Sequence, residues 1–532
     1  MSLVSLLLTL LPIAVILFML IVWRQPADVS GIVGWVVISL IVLFAFQTSV
    51  EVILRSTAAG FIRSFSVSLI VAMSLLQMAY MEKTGALKRI IIFIKTIACE
   101  NRAVQIMLIN IGFGTLMVAV GATPVSLLPP ILVAMGYSTY VAIALPAIGY
   151  DALCTYALLG APIVVFVDVA NGFLGKGNEI TLSQAGSVFF MFLPIVSTLI
   201  GASMLWIVGQ WVALKEGWLP CLITGVVIGV VSYITNLYDN LVVLTGVLCG
   251  LAVIAAMVLY LRLTGKKLID RSRLTKEELA YEQSYPLWRA LMPWTILVLL
   301  ILALNVPQDI FNYLYRELRL PITGLTANGA PLDTRALWQA YTWILVSIVL
   351  SIPFVRPSAT QLKDSLTVWL KRAPRPVFSA AIFFAIGEIM NMAGYSMEIK
   401  GFVVPSMVKV LADFSAQYFS NAYGAVVAFI GLFGGFITGS EASTIAMFGK
   451  YTLTTAKNLD MDLYGMIVIM AGLAFGGGLA SVISPAKLQN AAASIDKLGA
   501  ENQVIRVAFV FSLLLTLVTA FFVMLFLWLR FL

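Results

Sequence analysis

Apolar runs of about 17–25 residues, the length at which a helix crosses roughly 30 Å of hydrocarbon, recur through this chain from end to end. Clear runs cover residues 3–23, 31–47, 64–81, 186–210, 218–236, 241–261, 290–306, 337–353, 378–392, 463–482 and 507–529. Two further tracts, 103–167 and 402–448, are as apolar but are interrupted by Gly, Pro and hydroxyl residues. Lipid offers no water to an open backbone, so runs of this length predict helices. The fold to expect is an all-α polytopic membrane protein with about 12–14 membrane segments. Composition agrees: 61% of the 532 residues are hydrophobic and 11% charged, where a soluble domain carries roughly 25% charged residues.

Several function classes fall away at once. The net charge of +8 marks cytoplasmic loops rather than a nucleic-acid surface, because basic residues of membrane proteins collect on that side. The chain contains no histidine, which removes the usual metal ligand and triad base. Cys99, Cys154, Cys221 and Cys249 lie in or beside apolar runs and read as small hydrophobes rather than disulfides or metal ligands. There is no GxxxxGK[ST] loop for ATP. Neither an enzyme nor a cofactor or metal site is expected. The run 3–23 has no basic residue before it and no small-residue cleavage site after it, so a retained span is expected.

Charge placement orients the spans. Lys83, Lys88, Arg89, Lys95 and Arg102 form one basic loop, Arg262 to Arg289 a second, and Arg356 to Arg375 a third; all three are expected in the cytoplasm. The 308–333 loop mixes signs and is expected outside. Counting spans between these anchors makes the tract from 103 to about 145 leave and return on the cytoplasmic side, and the 402–448 tract dip from the outside. Two inverted-topology repeats follow, each with a re-entrant hairpin and a broken helix. The expected organisation is a first half over 1–260 with its hairpin near 103–145 and break near 160–163, a basic linker over 261–289, and a second half over 290–532 with its hairpin near 421–450 and break near 483–487.

The chain is organised around 436–449, reading FITGSEASTIAMFG. A carboxylate among hydroxyls is costly in hydrocarbon unless it lines a cavity or finds a partner, so this stretch is either the tip of a membrane-depth hairpin or a polar turn outside. Its weak counterpart in the first half is GTLMVAVGATPVS over 114–126. Each is followed by a Gly/Pro break, Leu159-Gly160-Ala161-Pro162 and Ile483-Ser484-Pro485, whose freed backbone groups need partners.

These residues resemble the lactate permease family, which carries lactate and glycolate across bacterial and archaeal membranes. The resemblance rests on Phe436 to Ser443, on Gly476-Gly477-Gly478 running to Pro485, on Ile389 to Gly394, and on Lys83-Thr84-Gly85, Gly112 to Pro124, Gly160 to Ile163 and Gly217 to Pro220 in family order. It implies an elevator-like or rocking secondary carrier, related to the wider ion-transporter group, in a bacterial or archaeal cell (inner) membrane. The carrier is expected to be a monomer or homodimer, with a small organic anion and membrane lipid as its partners. One departure stands out: Val118 to Pro124 is shorter than the family pattern and lacks its carboxylate. Lys487 is also unexpected.

A small hydroxycarboxylate in low dielectric needs backbone N–H groups at half-helix N-termini and nearby hydroxyls. The candidate substrate-binding residues are Gly121, Ala122, Thr123, Pro124, Gly160, Pro162, Asn391, Thr438, Gly439, Ser440, Ser443, Thr444, Ser484, Pro485 and Lys487. Glu441 is the first candidate for proton coupling, with Asp151 and Glu388 behind it; either of these, or Lys487, can stand in for the missing charge. The expected function is proton symport of L-lactate or glycolate. Its alternatives are a sodium-coupled carrier of another organic anion on the same fold, and a proton-translocating subunit of a larger complex. Such a subunit usually strings Lys, Glu and His across its spans, whereas this chain clusters Gly, Ser and Thr at two breaks.

Overall fold

The computed structural model describes the chain apart from residues 1–2, 98–100, 123, 176, 273, 482, 484–486, 489–490, 493, 496, 498 and 531–532, and apart from the side chains of 126, 150, 151, 481, 501 and 502. Among the described residues, twelve helical stretches are long and apolar enough to cross a membrane, so the protein is a multi-pass membrane protein built almost wholly of helices. Two short antiparallel strand pairs, Leu320–Ile322 with Leu332–Thr334 and Tyr395–Ser396 with Gly401–Phe402, lie in connecting segments.

Burial sorts the helices into a sheath and a centre. In Leu287–Asn305 only 22% of the most apolar window is buried, whereas in Leu463–Ala480 the share is 89%. Leu7, Phe44, Leu259 and Phe521 point outward from peripheral helices, as apolar side chains do when their solvent is lipid. The discontinuous elements occupy the centre.

The first hairpin rises through helix Arg102–Ile106, a π-helical stretch Met107–Phe113 and helix Gly114–Ala119, turns at 120–122 and returns as Pro124–Ala134. The second runs up Tyr423–Thr438 and back along Glu441–Asn458. Between the hairpins' own limbs and the rest lies the first-half break. The 3₁₀ segment Tyr150–Tyr156 leads into Ala157–Leu174, and Leu158, Leu159 and Gly160 all have positive φ. The break therefore begins before the expected Leu159 to Pro162, and Pro162 sits in the first regular turn beyond it, where a missing N–H costs little.

Some expectations shift in detail. The run 186–210 begins in a separate short helix, Leu182–Phe189, and is divided from the run 218–236 by non-helical backbone at Gly209 and Gln210 within Leu193–Asn236. The run 337–353 becomes the 16-residue helix Ala340–Val355, which at about 1.5 Å per residue is short for a full crossing. Residues passed over as a connection form helix Val50–Arg63, which meets Phe65–Lys83 at Ser64. The basic linker is strapped to the helix Ala86–Lys95: Arg89 donates to Glu282 at 3.1 Å and to the Tyr285 carbonyl at 2.8 Å, Lys95 pairs with Glu278, and the Tyr281 hydroxyl donates to the Gly85 carbonyl.

Glycine decides how closely the second hairpin's first limb packs on Leu463–Ser481. A Cβ on Gly435 or Gly431 would collide with the backbone of Gly477 or Leu473, and one on Gly476 with that of Ala428. Such backbone contact is the small-residue packing that lipid-embedded helices favour. Replacing Gly435 with Val is expected to destabilise the protein by about 1–3 kcal/mol or more. Thermal unfolding of the purified protein checks this against Gly172→Ala, whose new Cβ meets nothing within 4 Å and is expected not to lower the midpoint.

Candidate functional site

The second hairpin's turn is held by its own hydroxyls. Gly439 adopts the left-handed conformation, φ +65°, that ends the first limb, and only glycine takes it without a steric cost. Ser440 caps the second limb, its Oγ accepting from the Ser443 N–H at 3.4 Å. Thr438 and Thr444 both donate to the Ser440 carbonyl, at 2.8 and 2.9 Å, and their hydroxyls lie 3.2 Å apart. These two expected ligands thus hold the turn. The Ser443 hydroxyl, fully buried, has no hydrogen-bond partner among the described residues.

Glu441 is the first residue of the second limb and is only 2% exposed. The N-terminal end of a helix favours a carboxylate by about 0.3–1 kcal/mol at a surface, and more where it is buried. That alone does not offset loss of water. A donor comes from the other half of the chain: the buried Thr155 hydroxyl donates to Oε1 at 2.7 Å. Oε2 has no hydrogen-bond partner among the described residues and lies against Gly478, with Cys154 alongside the carboxylate.

Thr155 belongs to the first-half break, and so does Leu158, which packs toward Gly121 at the turn of the first hairpin (a Cβ on Gly121 would lie 3.6 Å from it). The segment from Cys154 to Gly160 therefore touches both hairpin turns. Gly121 has φ +91° and backs onto Ser74, Ala122 is buried, Pro124 opens the returning limb, and Gly160 abuts Val243. Thr123, Ser484 and Pro485 lie outside the described residues, as does the side chain of Asp151. Lys487 is half-buried.

Two expected residues sit elsewhere. Glu388 and Asn391 line a cavity of about 650 Å³, together with Arg63, Asp168, Arg335 and Lys450. Lys450 lies nine residues along the second limb from Glu441, about 13 Å at 1.5 Å per residue. Arg63 approaches Glu388 at 3.7 Å, and Arg335 donates to both oxygens of Asp168 at 2.9 and 3.2 Å. Sequence reasoning missed Thr155, Arg63 and Lys450; a lone cation inside an apolar helix was the available signal for Lys450. Changing Thr155 to Val leaves both oxygens of Glu441 without a hydroxyl donor, and is expected to cost about 1–3 kcal/mol of stability. Thermal unfolding is the readout, and Thr155→Ser is expected to regain most of the loss.

Comparison with known proteins bears on this arrangement. Residues 5–530 match the profile of the family described as L-lactate permease. The glycolate permease GlcA of Escherichia coli K12 is 23% identical, over 94% of this chain and 92% of its own. The L-lactate permease of Bacillus subtilis 168 is 23% identical over 97% and 94%, and that of Salmonella typhi 22% over 95% and 93%. Among solved structures, Neisseria gonorrhoeae MtrF aligns with 88% of this chain and 82% of its own at TM-score 0.42 and 12% identity, too distant a likeness to argue from. The family profile spans almost the whole chain, both hairpins and the break between them included, and on that ground this protein is a divergent member of the L-lactate permease family.

Proposed function

We propose that the protein is a secondary active transporter of a small monocarboxylate, L-lactate or glycolate, coupled to protons and working by alternating access. The substrate class comes from the relatives, named as L-lactate and glycolate permeases. The observation that carries the coupling is the hydrogen bond from Thr155 to Glu441. It joins a carboxylate at the second hairpin turn to the first-half break. A proton taken up there changes the acceptor for Thr155 and so the contact between the two halves.

The substrate fits the same neighbourhood. The limbs beginning at Pro124 and Glu441 present helix N-termini, which favour a carboxylate through free N–H groups and dipole. The unpartnered Ser443 hydroxyl offers a donor and an acceptor to an α-hydroxyl. With no carboxylate over Val118 to Pro124, Glu441 is the coupling group, and Asp151 and Glu388 are secondary. Inverted repeats, with one hairpin dipping from each face, supply the symmetry that exchanges inward and outward access.

Glu441→Gln keeps the shape and removes the titration. In proteoliposomes, the variant is expected to lose proton-driven accumulation of labelled L-lactate by about 100-fold or more, while exchange of internal for external lactate stays within about threefold of wild type, because exchange needs no net proton movement. Normal proton-driven uptake by this variant would remove Glu441 from the mechanism.

A further inference from the structure

We propose that the part of the 650 Å³ cavity lined by Arg63 and Lys450 is a second anion subsite, separate from the hairpin turns, in which these two side chains take the carboxylate of a small monocarboxylate before it reaches the centre. The inference deepens the transport reading and rests on it for the identity of the solute. The subsite itself is argued from charge and geometry.

Three elements converge on this part of the cavity. Arg63 ends helix Val50–Arg63, Lys450 projects from the middle of the second hairpin's returning limb, and Glu388 and Asn391 stand one turn apart on Pro374–Met392. Among these four, two cations face one carboxylate, leaving a charge of +1. The cations are also poorly met. Arg63 reaches Glu388 only at 3.7 Å, and its Nε is buried without a hydrogen-bond partner. No hydrogen bond from the Lys450 ammonium and no ion pair within 4.0 Å is found among the described residues, and Glu388 lies within its electrostatic reach. A cation held away from bulk water without a close partner is unfavourable, and an incoming carboxylate offsets that cost.

Elsewhere on the lining Arg335 pairs with Asp168 through both carboxylate oxygens, Arg316 with Asp239 at 2.6 Å and Arg319 with Asp333 at 3.4 Å. These three cations have close carboxylate partners and Arg63 and Lys450 do not, so positive charge is left unbalanced beside Arg63 and Lys450. Low-dielectric walls focus such a field and draw anions toward it. The volume falls within the usual range for small-molecule sites, roughly 300–1,000 Å³, and Asn391 adds an amide donor and acceptor for an α-hydroxyl. A dicarboxylate would set its second charge against Glu388 or Asp168, so the subsite is selective for a single negative charge.

Binding of radiolabelled L-lactate, glycolate and acetate to the purified full-length protein, by equilibrium dialysis, tests this, with L-malate as competitor. Two sites are expected on the wild type; Lys450→Met and Arg63→Gln are each expected to weaken one of them at least tenfold and leave the other within about threefold, Lys450→Arg to restore it to within about threefold, and L-malate to compete poorly there; thermal unfolding reports that each variant is folded. Wild-type affinity at both sites in folded Lys450→Met and Arg63→Gln would overturn the subsite, as would L-malate competing there as well as unlabelled L-lactate, or the folded wild type binding none of the three anions. If neither L-lactate nor glycolate is transported yet monocarboxylate binding still depends on Lys450, the transport reading falls and the subsite stands. If lactate is transported normally while binding ignores Lys450 and Arg63, the subsite falls and the transport reading stands.

Discussion

A carboxylate sealed at the start of a helix has to be met by something, and what meets Glu441 is the interrupted segment of the other half of the chain. Much of the centre follows from that contact. A hydroxyl at 155 can reach 441 only if helix 139–149 stops and the chain unwinds through Tyr150–Tyr156 before Ala157–Leu174 begins. Unwinding frees backbone groups that lipid would not tolerate, so the break must be covered by protein, and the two hairpin turns lie against it. The glycine-lined approach of Leu463–Ser481 to the second hairpin then brings Gly478 against the same carboxylate.

Much of this was legible in the sequence, because hydrocarbon imposes simple rules. Span length, helix as the fold, the polar turn near Glu441 and the Gly/Pro break near Gly160 are consequences of burial cost, and each left a mark in residue type. Register was less legible. The break starts several residues ahead of Gly160 because Leu158 and Leu159 also take positive φ, which nothing in the identity of a leucine signals. Pairings across the halves were not legible: Thr155 and Glu441 are 286 positions apart, and a threonine in an apolar tract reads as helix-to-helix glue. Arg63 was hidden for another reason. Val50–Arg63 carries Glu51, Arg55 and Arg63, so its composition resembles a loop, although the helix packs on Pro374–Met392.

Hydroxyls and glycines of the family-like motifs also divide in a way that residue type does not reveal. Thr438 and Thr444 hold the hairpin turn, and Gly435, Gly476 and Gly477 let helices close on one another. Ser443 and Glu441 retain unpartnered polar atoms beside the break. Unsatisfied buried groups are rare in stable structures and mark places where something else binds or moves. Together with the unbalanced cations around Arg63 and Lys450, they describe two polar stations along one hairpin limb in an otherwise apolar interior.

Uptake of labelled L-lactate into proteoliposomes holding the wild-type protein, with inward proton and inward sodium gradients imposed separately, separates proton coupling from every alternative. Accumulation is expected under the proton gradient alone and none under sodium alone. Accumulation driven by sodium with no response to protons would contradict it, as would a folded protein that moves no lactate under either gradient.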